Sequence, residues 1–225
     1  MNNKIYNVVI LDKSGSMFSV RSQAVGAVNE TFGCIRSLRK KNAEQEQLVT
    51  LVAFCGCEQN VIYENAPIEQ VTNITEKDYH PCCRTPLYDA IGSVCTRLHT
   101  VVKDDPTASV AVTVITDGYE NASREFSGKA VKALIEAYKS EGWMFAYIGA
   151  DHDVKSVAFD LSIDNHMAFK KSEGGFKSMT SRLNASRICF SKRIQDVVDY
   201  SAASPEFSLE ELKKKKKNAS AHFFD

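Results

Sequence analysis

The apolar run Val8-Val9-Ile10-Leu11 passes without a break into Asp12-Lys13-Ser14-Gly15-Ser16. An uninterrupted apolar run of this kind suits a strand buried on both faces, which is the situation of a parallel sheet covered by helices. Val25, Val28, Phe32 and Ile35 then recur at helical spacing, so a long helix is expected from about Ser19 to Lys41. A buried strand that ends in a carboxylate and two hydroxyls, with a helix following, gathers oxygen donors at one point. Such donors suit hard divalent cations, Mg²⁺ or Mn²⁺. Two other segments offer matching groups: Thr85 in Arg84-Thr85-Pro86-Leu87, and Asp117 in Val114-Ile115-Thr116-Asp117-Gly118.

The rest of the chain alternates strand and helix signals. Leu48 to Phe54 reads as a second strand, Gly56 as a tight turn, and Val61 to Tyr63 as the start of a third strand closing a hairpin. Residues Ala66 to Arg84, with Pro67 and Pro81, lack periodicity and read as a long loop of the kind that often carries function. Leu87, Ile91, Val94, Leu98 and Val101 mark a second helix, Val110 to Thr116 another buried strand, Ala130 to Tyr138 a third helix, and Trp143 to Ile148 the next strand. A short helix capped by Asp153 and an edge strand from His166 to Phe169 follow, then an amphipathic helix carrying Phe176, Met179, Leu183, Phe190, Ile194 and Val197. The core pattern stops near Asp199, so residues 1–198 are expected to form one domain and 199–225 a helical or disordered tail.

This order predicts an α/β fold, a doubly wound and mostly parallel sheet of about six strands with one antiparallel edge strand, flanked by helices on both faces. Right-handed βα connections put the carboxyl ends of the strands on one face, where such sheets bind ligands. Asp12, Thr85 and Asp117 all fall there.

With this context the residues form a recognisable set. Asp12-x-Ser14-x-Ser16, then Thr85, then Asp117-Gly118 resemble the metal-ion-dependent adhesion site of von Willebrand factor type A (VWA) domains, in order, spacing and strand–helix setting. The resemblance runs from about residue 4 to 198. Leu11 to Met17, Thr85 to Ile91 and Ile115 to Gly118 look most like the intracellular prokaryotic branch. The resemblance implies a Rossmann-like fold and a Mg²⁺ or Mn²⁺ ion ligated by the hydroxyls of Ser14 and Ser16. Thr85 would ligate it directly or through water, and Asp12 and Asp117 directly or through bound waters. It further implies one open coordination position that takes an acidic side chain of a protein partner. Two carboxylates and three neutral hydroxyls also balance a divalent ion in charge. One departure is Cys82-Cys83-Arg84, where the family usually has small residues before the threonine. Arg84 there would repel the cation, grip an acidic partner, or point to solvent.

Composition limits the alternatives. Lys+Arg and Asp+Glu both number 28, which removes the basic surplus that bulk nucleic-acid binding needs. No apolar run approaches the roughly 18 residues of a membrane span, and the first residues lack the form of a signal peptide. Cytoplasmic location and mostly reduced thiols are therefore expected of the seven cysteines. Cys55, Cys57, Cys82 and Cys83 would share the metal face and could hold zinc or form a disulfide. C-x-C and C-C are not usual zinc spacings, so buried, free thiols are expected instead. Cys34, Cys95 and Cys189 are assigned to the core. Asp151-His152-Asp153 borders the same face, with helix capping by Asp151 or Asp153 as the preferred reading; Glu120 and Asn121 either rim the site or are solvated. The Lys213–Lys217 run reads as a solvated tail, diluted by Glu206, Glu210 and Glu211.

The function expected from these readings is a cation-dependent protein-binding module without catalytic activity. A haloacid-dehalogenase-like phosphatase with Asp12 as nucleophile would want a second acid two residues on, where Ser14 stands. No G-x-S-x-G elbow or P-loop is present. A metal-free scaffold of the same fold is the third reading. Partner and oligomeric state are not encoded in any motif.

Overall fold

A computed structural model of the chain describes residues 3–150, 152–204 and 208–224. In chain order the strands are β1 (Asn3–Asp12), β2 (Gln45–Phe54), β3 (Gln59–Pro67), β4 (Ala108–Thr116), β5 (Met144–Gly149) and β6 (Asn165–Ala168). The helices are α1 (Arg21–Lys41), α2 (Leu87–Val102), α3 (Gly128–Ser140), α4 (Val154–Asp160), α5 (Glu173–Ala203) and α6 (Leu209–Ala221), with 3₁₀ turns at Gly15–Val20 and Ile68–Gln70. The sheet order is β3-β2-β1-β4-β5-β6. Only β3 runs antiparallel, at one edge, hydrogen-bonded to β2. Among the described residues no helix is long and apolar enough to cross a membrane.

The side chains of β1 alternate between two cores because successive residues point to opposite sheet faces. Ile5, Val9 and Leu11 join Phe32 and Ile35 of α1 and Phe176, Leu183 and Phe190 of α5 on one face. Tyr6, Val8 and Ile10 join Leu87, Ile91 and Val94 of α2 and Ile135 of α3 on the other. Chain order reverses between β1 and β4, the central pair, so the crevice of a doubly wound sheet opens at the ends of these two strands.

Three parts of the structure depart from the pattern in the sequence. The segment from Ala66 to Arg84 has no regular period, yet Ile68, Val71, Ile74 and Tyr79 are fully buried. It is held by polar contacts from α1: Asn29 Nδ2 donates to Ile74 O at 2.9 Å and accepts Ile74 N at 2.9 Å through Oδ1, and Arg36 donates to Val71 O at 2.8 Å. Val101 is exposed; Val102 takes its place in the core. Cys189 is exposed and Cys34 half-buried, leaving Cys95 as the cysteine of this group inside the core.

The third departure is the tail. Helix α6 begins at the capping box in which Ser208 and Glu211 satisfy each other's backbone. It then packs back on the domain, and Ala219 and Phe223 join the α5 core. Burying a phenylalanine like Phe223 contributes about 1.5–3 kcal/mol. The lysine run is therefore not uniformly solvated. Lys216 is buried, and its Nζ donates to Pro106 O at 2.8 Å and Ala108 O at 2.7 Å. Ser220 Oγ donates to Gly142 O at 2.9 Å. Gly142 has φ +95°, and a β-carbon on it would stand 2.9 Å from Lys216 Cβ, so the turn before β5 needs glycine for α6 to sit down. Helix α6 thus covers the amino ends of β4 and β5, at the pole opposite the strand carboxyl ends.

Burial lowers the Lys216 ammonium to about 8, with Asp105 opposing. The unfolded chain then binds more protons than the folded one between about pH 8 and the ordinary lysine value near 10.4, so this residue makes stability rise with pH across that window. Compared with Lys216→Met, the wild type should gain up to about 3 kcal/mol in urea-unfolding free energy from pH 7.5 to 10. Parallel pH profiles of the two proteins would remove this assignment.

Candidate metal centre

The carboxylate of Asp12 closes β1 and is fully buried. Its Oδ1 accepts Ser14 N at 2.7 Å and its Oδ2 accepts Thr116 Oγ1 at 2.6 Å. The second contact follows from register: Leu11 stands opposite Ile115, so Asp12 falls level with Thr116 at the end of β4. The Asp12 carbonyl accepts Tyr79 Oη at 2.5 Å, which ties the long loop to the same corner. Burial pushes the Asp12 carboxyl up to about 6, against the pull of the Thr116 and Ser14 hydrogen bonds, and neighbouring Asp117 adds to the rise.

The hydroxyls of Ser14 and Ser16 lie 3.1 Å apart, and Ser16 Oγ donates to Asp117 Oδ1 at 2.6 Å. Ser14 and Asp117 are buried while Ser16 is exposed, so the cluster opens toward solvent on the Ser16 side. Thr85 is buried beside Gly118: a β-carbon on that glycine would stand 3.8 Å from Thr85 Oγ1. Asn121 fixes Thr85 from both sides, its Oδ1 accepting Thr85 N at 2.9 Å and its N–H reaching Thr85 O at 3.1 Å. Glu120 accepts the N–H of Tyr88 at 3.0 Å and so caps α2 just after Thr85. Asp89 accepts three successive N–H groups, from Arg124, Glu125 and Phe126, at 2.8–2.9 Å. Glu120 is half-buried and Asn121 exposed, and both brace the Thr85 loop.

Lys171, in the loop after β6, reaches into this cluster. Its ammonium lies 2.6 Å from Asp117 Oδ2 and donates to Ser16 O at 2.6 Å. No pattern in the sequence marks it, because the contact spans 54 residues from Asp117 and depends on the β5–β6 pairing. Thr116 and Tyr79 meet Asp12 across 104 and 67 residues, so no local pattern marks those contacts either.

The other assignments resolve as follows. Asp153 caps α4 by accepting Ser156 N at 3.0 Å, and Asp151 lies outside the described residues. His152 is held by Tyr147 Oη at 2.9 Å and Ala150 O at 2.6 Å. Arg84 is exposed. Cys55 is buried as a free thiol, but Cys57 and Cys83 are exposed and joined by a disulfide, with Cα atoms 6.5 Å apart. The expectation of buried, free thiols thus fails for that pair, because the hairpin tip and the Thr85 loop meet at the surface.

No protein-family profile matches the sequence, and no curated protein matches it. Solved structures do. A von Willebrand factor type A protein from Catenulispora acidiphila superposes with TM-score 0.62 at 14% identity over 83% of this chain. That match covers 43% of the other chain, so this chain spans less than half its length. Manganese-loaded TRAP protein from Plasmodium vivax matches with TM-score 0.54 at 14% identity, over 80% of this chain and 72% of that one. Proximal thread matrix protein 1 from mussel byssus, with a zinc-occupied MIDAS motif, matches with TM-score 0.55 at 13% identity, over 83% and 46% of the two chains. The chain has a VWA fold.

In this VWA fold, the donor set suits a hard divalent cation. Two carboxylates, one fully buried, converge with two serine hydroxyls, and the buried pair already draws in an ammonium. A divalent ion would favour the charged form of Asp12 against the burial that raises it, and would offset the smaller repulsion from Asp117. The Lys171 ammonium, paired with Asp117, would compete with such an ion for it. Replacing it by a neutral side chain should tighten Mn²⁺ binding about tenfold, or roughly 1.4 kcal/mol. Calorimetric titration of wild type and Lys171→Met checks this, and equal or weaker binding by the variant would show that Lys171 does not compete.

Proposed function

We propose that this chain is a divalent-cation-dependent protein-binding module that captures an acidic side chain of a partner protein. The observation that carries the reading is the joining of Asp12, Ser14, Ser16 and Asp117 through direct hydrogen bonds, with an opening to solvent at exposed Ser16. In it Ser14, Ser16 and Thr85 hold Mg²⁺ or Mn²⁺ through their hydroxyls, and Asp12 and Asp117 hold it directly or through water. A bound ion of this class supplies a Lewis-acidic position that accepts one further carboxylate oxygen.

The surroundings of the site support a docking face. Phe18, two residues past Ser16, and Tyr119, two past Asp117, are 68% and 54% exposed. Exposed aromatics beside a charged centre supply apolar contact at low entropic cost, as protein-binding surfaces do. Exposed Arg84 adds a donor for a partner carboxylate. The Asn121 clamp and the Asp89 loop hold the Thr85 segment rigid, which lowers the ordering cost of binding.

Phosphoryl transfer is disfavoured by the same geometry. Both oxygens of Asp12 are engaged by protein donors and the residue has no exposure, so it offers no line of attack on a phosphate. No acid stands two residues on to protonate a leaving group.

Titration with Mg²⁺ and with Mn²⁺ should show one site in the wild type and none in Asp12→Ala. Equal binding by both proteins rejects the assigned ligands. The wild type should not turn over a generic phosphatase substrate; turnover that vanishes in Asp12→Asn would restore the phosphatase reading.

A further inference from the structure

The tip of the β2–β3 hairpin and the loop before Thr85 bring four cysteines to one place. Cys55 and Cys57 come from the first, Cys82 and Cys83 from the second. The sulfurs of Cys55, Cys57 and Cys82 lie within 4.8 Å of one another, with Cys55 Sγ and Cys82 Sγ 3.3 Å apart, and Cys83 is bonded to Cys57. In a tetrahedral zinc site with Zn–S near 2.3 Å, sulfurs stand about 3.8 Å apart. The cluster brackets that spacing.

Packing does not account for Cys57 and Cys83, which are exposed. The backbone is nevertheless shaped to hold the two loops together. Cys55 N donates to Glu58 O at 2.9 Å and closes the hairpin turn. Gly56 N donates to Arg84 O at 2.8 Å, and a β-carbon on Gly56 would meet Arg84 N at 3.2 Å, so the loops approach this closely because residue 56 is glycine. Cys82 N donates to Lys13 O at 2.8 Å and Gly15 N to Cys83 O at 3.1 Å. Cys83 itself takes a left-handed conformation, φ +62°, that turns the chain between the two adjacent cysteines.

We propose that, with the Cys57–Cys83 bond reduced, Cys55, Cys57, Cys82 and Cys83 form a four-thiolate site for one thiophilic divalent cation of the zinc class. Two equivalents of a low-molecular-weight thiol reduce the bond and leave as their own disulfide; Cys57 and Cys83 each take up one electron and one proton. Cation binding then displaces the thiol protons to solvent. All four donors are soft sulfur, whereas the Asp12–Asp117 centre is all oxygen, so the two sites select different ions. The inference does not depend on the cation reading of the oxygen centre. An ion here would join the hairpin tip to the Thr85 loop, which already leans on the Lys13–Gly15 backbone.

The experiment is a Co²⁺ titration of the full chain, reduced with a phosphine and exchanged anaerobically into metal-free buffer. A sulfur-to-cobalt charge-transfer band should grow to one equivalent, bleach on addition of Zn²⁺, and be unaffected by saturating Mg²⁺. Cys57→Ser, at an exposed position, and Cys82→Ser should each weaken Co²⁺ affinity at least tenfold, while Cys189→Ser, on the exposed face of α5, should leave it unchanged. Unreduced protein should give no such band. A reduced wild type with native circular dichroism and no thiolate band overturns the proposal, as does a band that survives both Cys57→Ser and Cys82→Ser.

Discussion

The hydrogen bond from Thr116 Oγ1 to Asp12 Oδ2 joins the ends of the two central strands, and the site is organised around it. It requires β1 and β4 to be neighbours in parallel register, which is the arrangement at a reversal of strand order. Fully buried, the Asp12 carboxylate persists as an anion only where donors and cations surround it. Ser14 N and Thr116 Oγ1 are those donors. The first loop is consequently shaped by its own carboxylate, and Tyr79, bonded to the same residue's carbonyl, carries the restraint into the long loop.

Lys171 gives this centre a second character. A carboxylate with no exposed side-chain surface, Asp117 Oδ2, is matched by an ammonium on a loop at the far edge of the sheet. Isolated buried charge is costly, and a tethered cation offsets that cost without an external ion. The tethered ammonium is monovalent and donates to the backbone oxygen of Ser16. A divalent ion would interact more strongly with both carboxylates but must displace it. The internal cation of the centre is thus a side chain that the motif does not include.

A polar layer lies beneath α5 on the same sheet. Arg187 is fully buried and donates to Asn7 Oδ1 at 2.6 Å and, more weakly, to Thr113 Oγ1 at 3.5 Å. Asn7 in turn donates to Gln47, and Gln47 to Gln45, at 2.9 and 2.7 Å. Burial lowers the guanidinium to about 10. Polar groups in such a layer admit fewer packings than apolar ones because each donor needs its acceptor, so the layer fixes how α5 lies across β1. Its placement in turn sets where the chain enters α5, and Lys171 lies directly before that point.

Much was legible from local pattern. Apolar runs marked the buried strands, helical spacing marked α1, α2 and α5, and Asp12-x-Ser14-x-Ser16 marked a turn in which Asp12 accepts Ser14 N and the two serine hydroxyls meet. Local order suffices there because a strand end and the following turn place those groups within a few residues. What the sequence could not decide were contacts between distant segments. The buried Ile74 and Tyr79 of an aperiodic loop, the Lys171–Asp117 pair, the seat of Lys216 on α6 and the pairing of Cys57 with Cys83 all depend on which segments adjoin. Side-chain periodicity reports only which face of its own element a residue occupies; the partner across a crevice is chosen by strand order and register, and these arise only when the whole sheet is assembled.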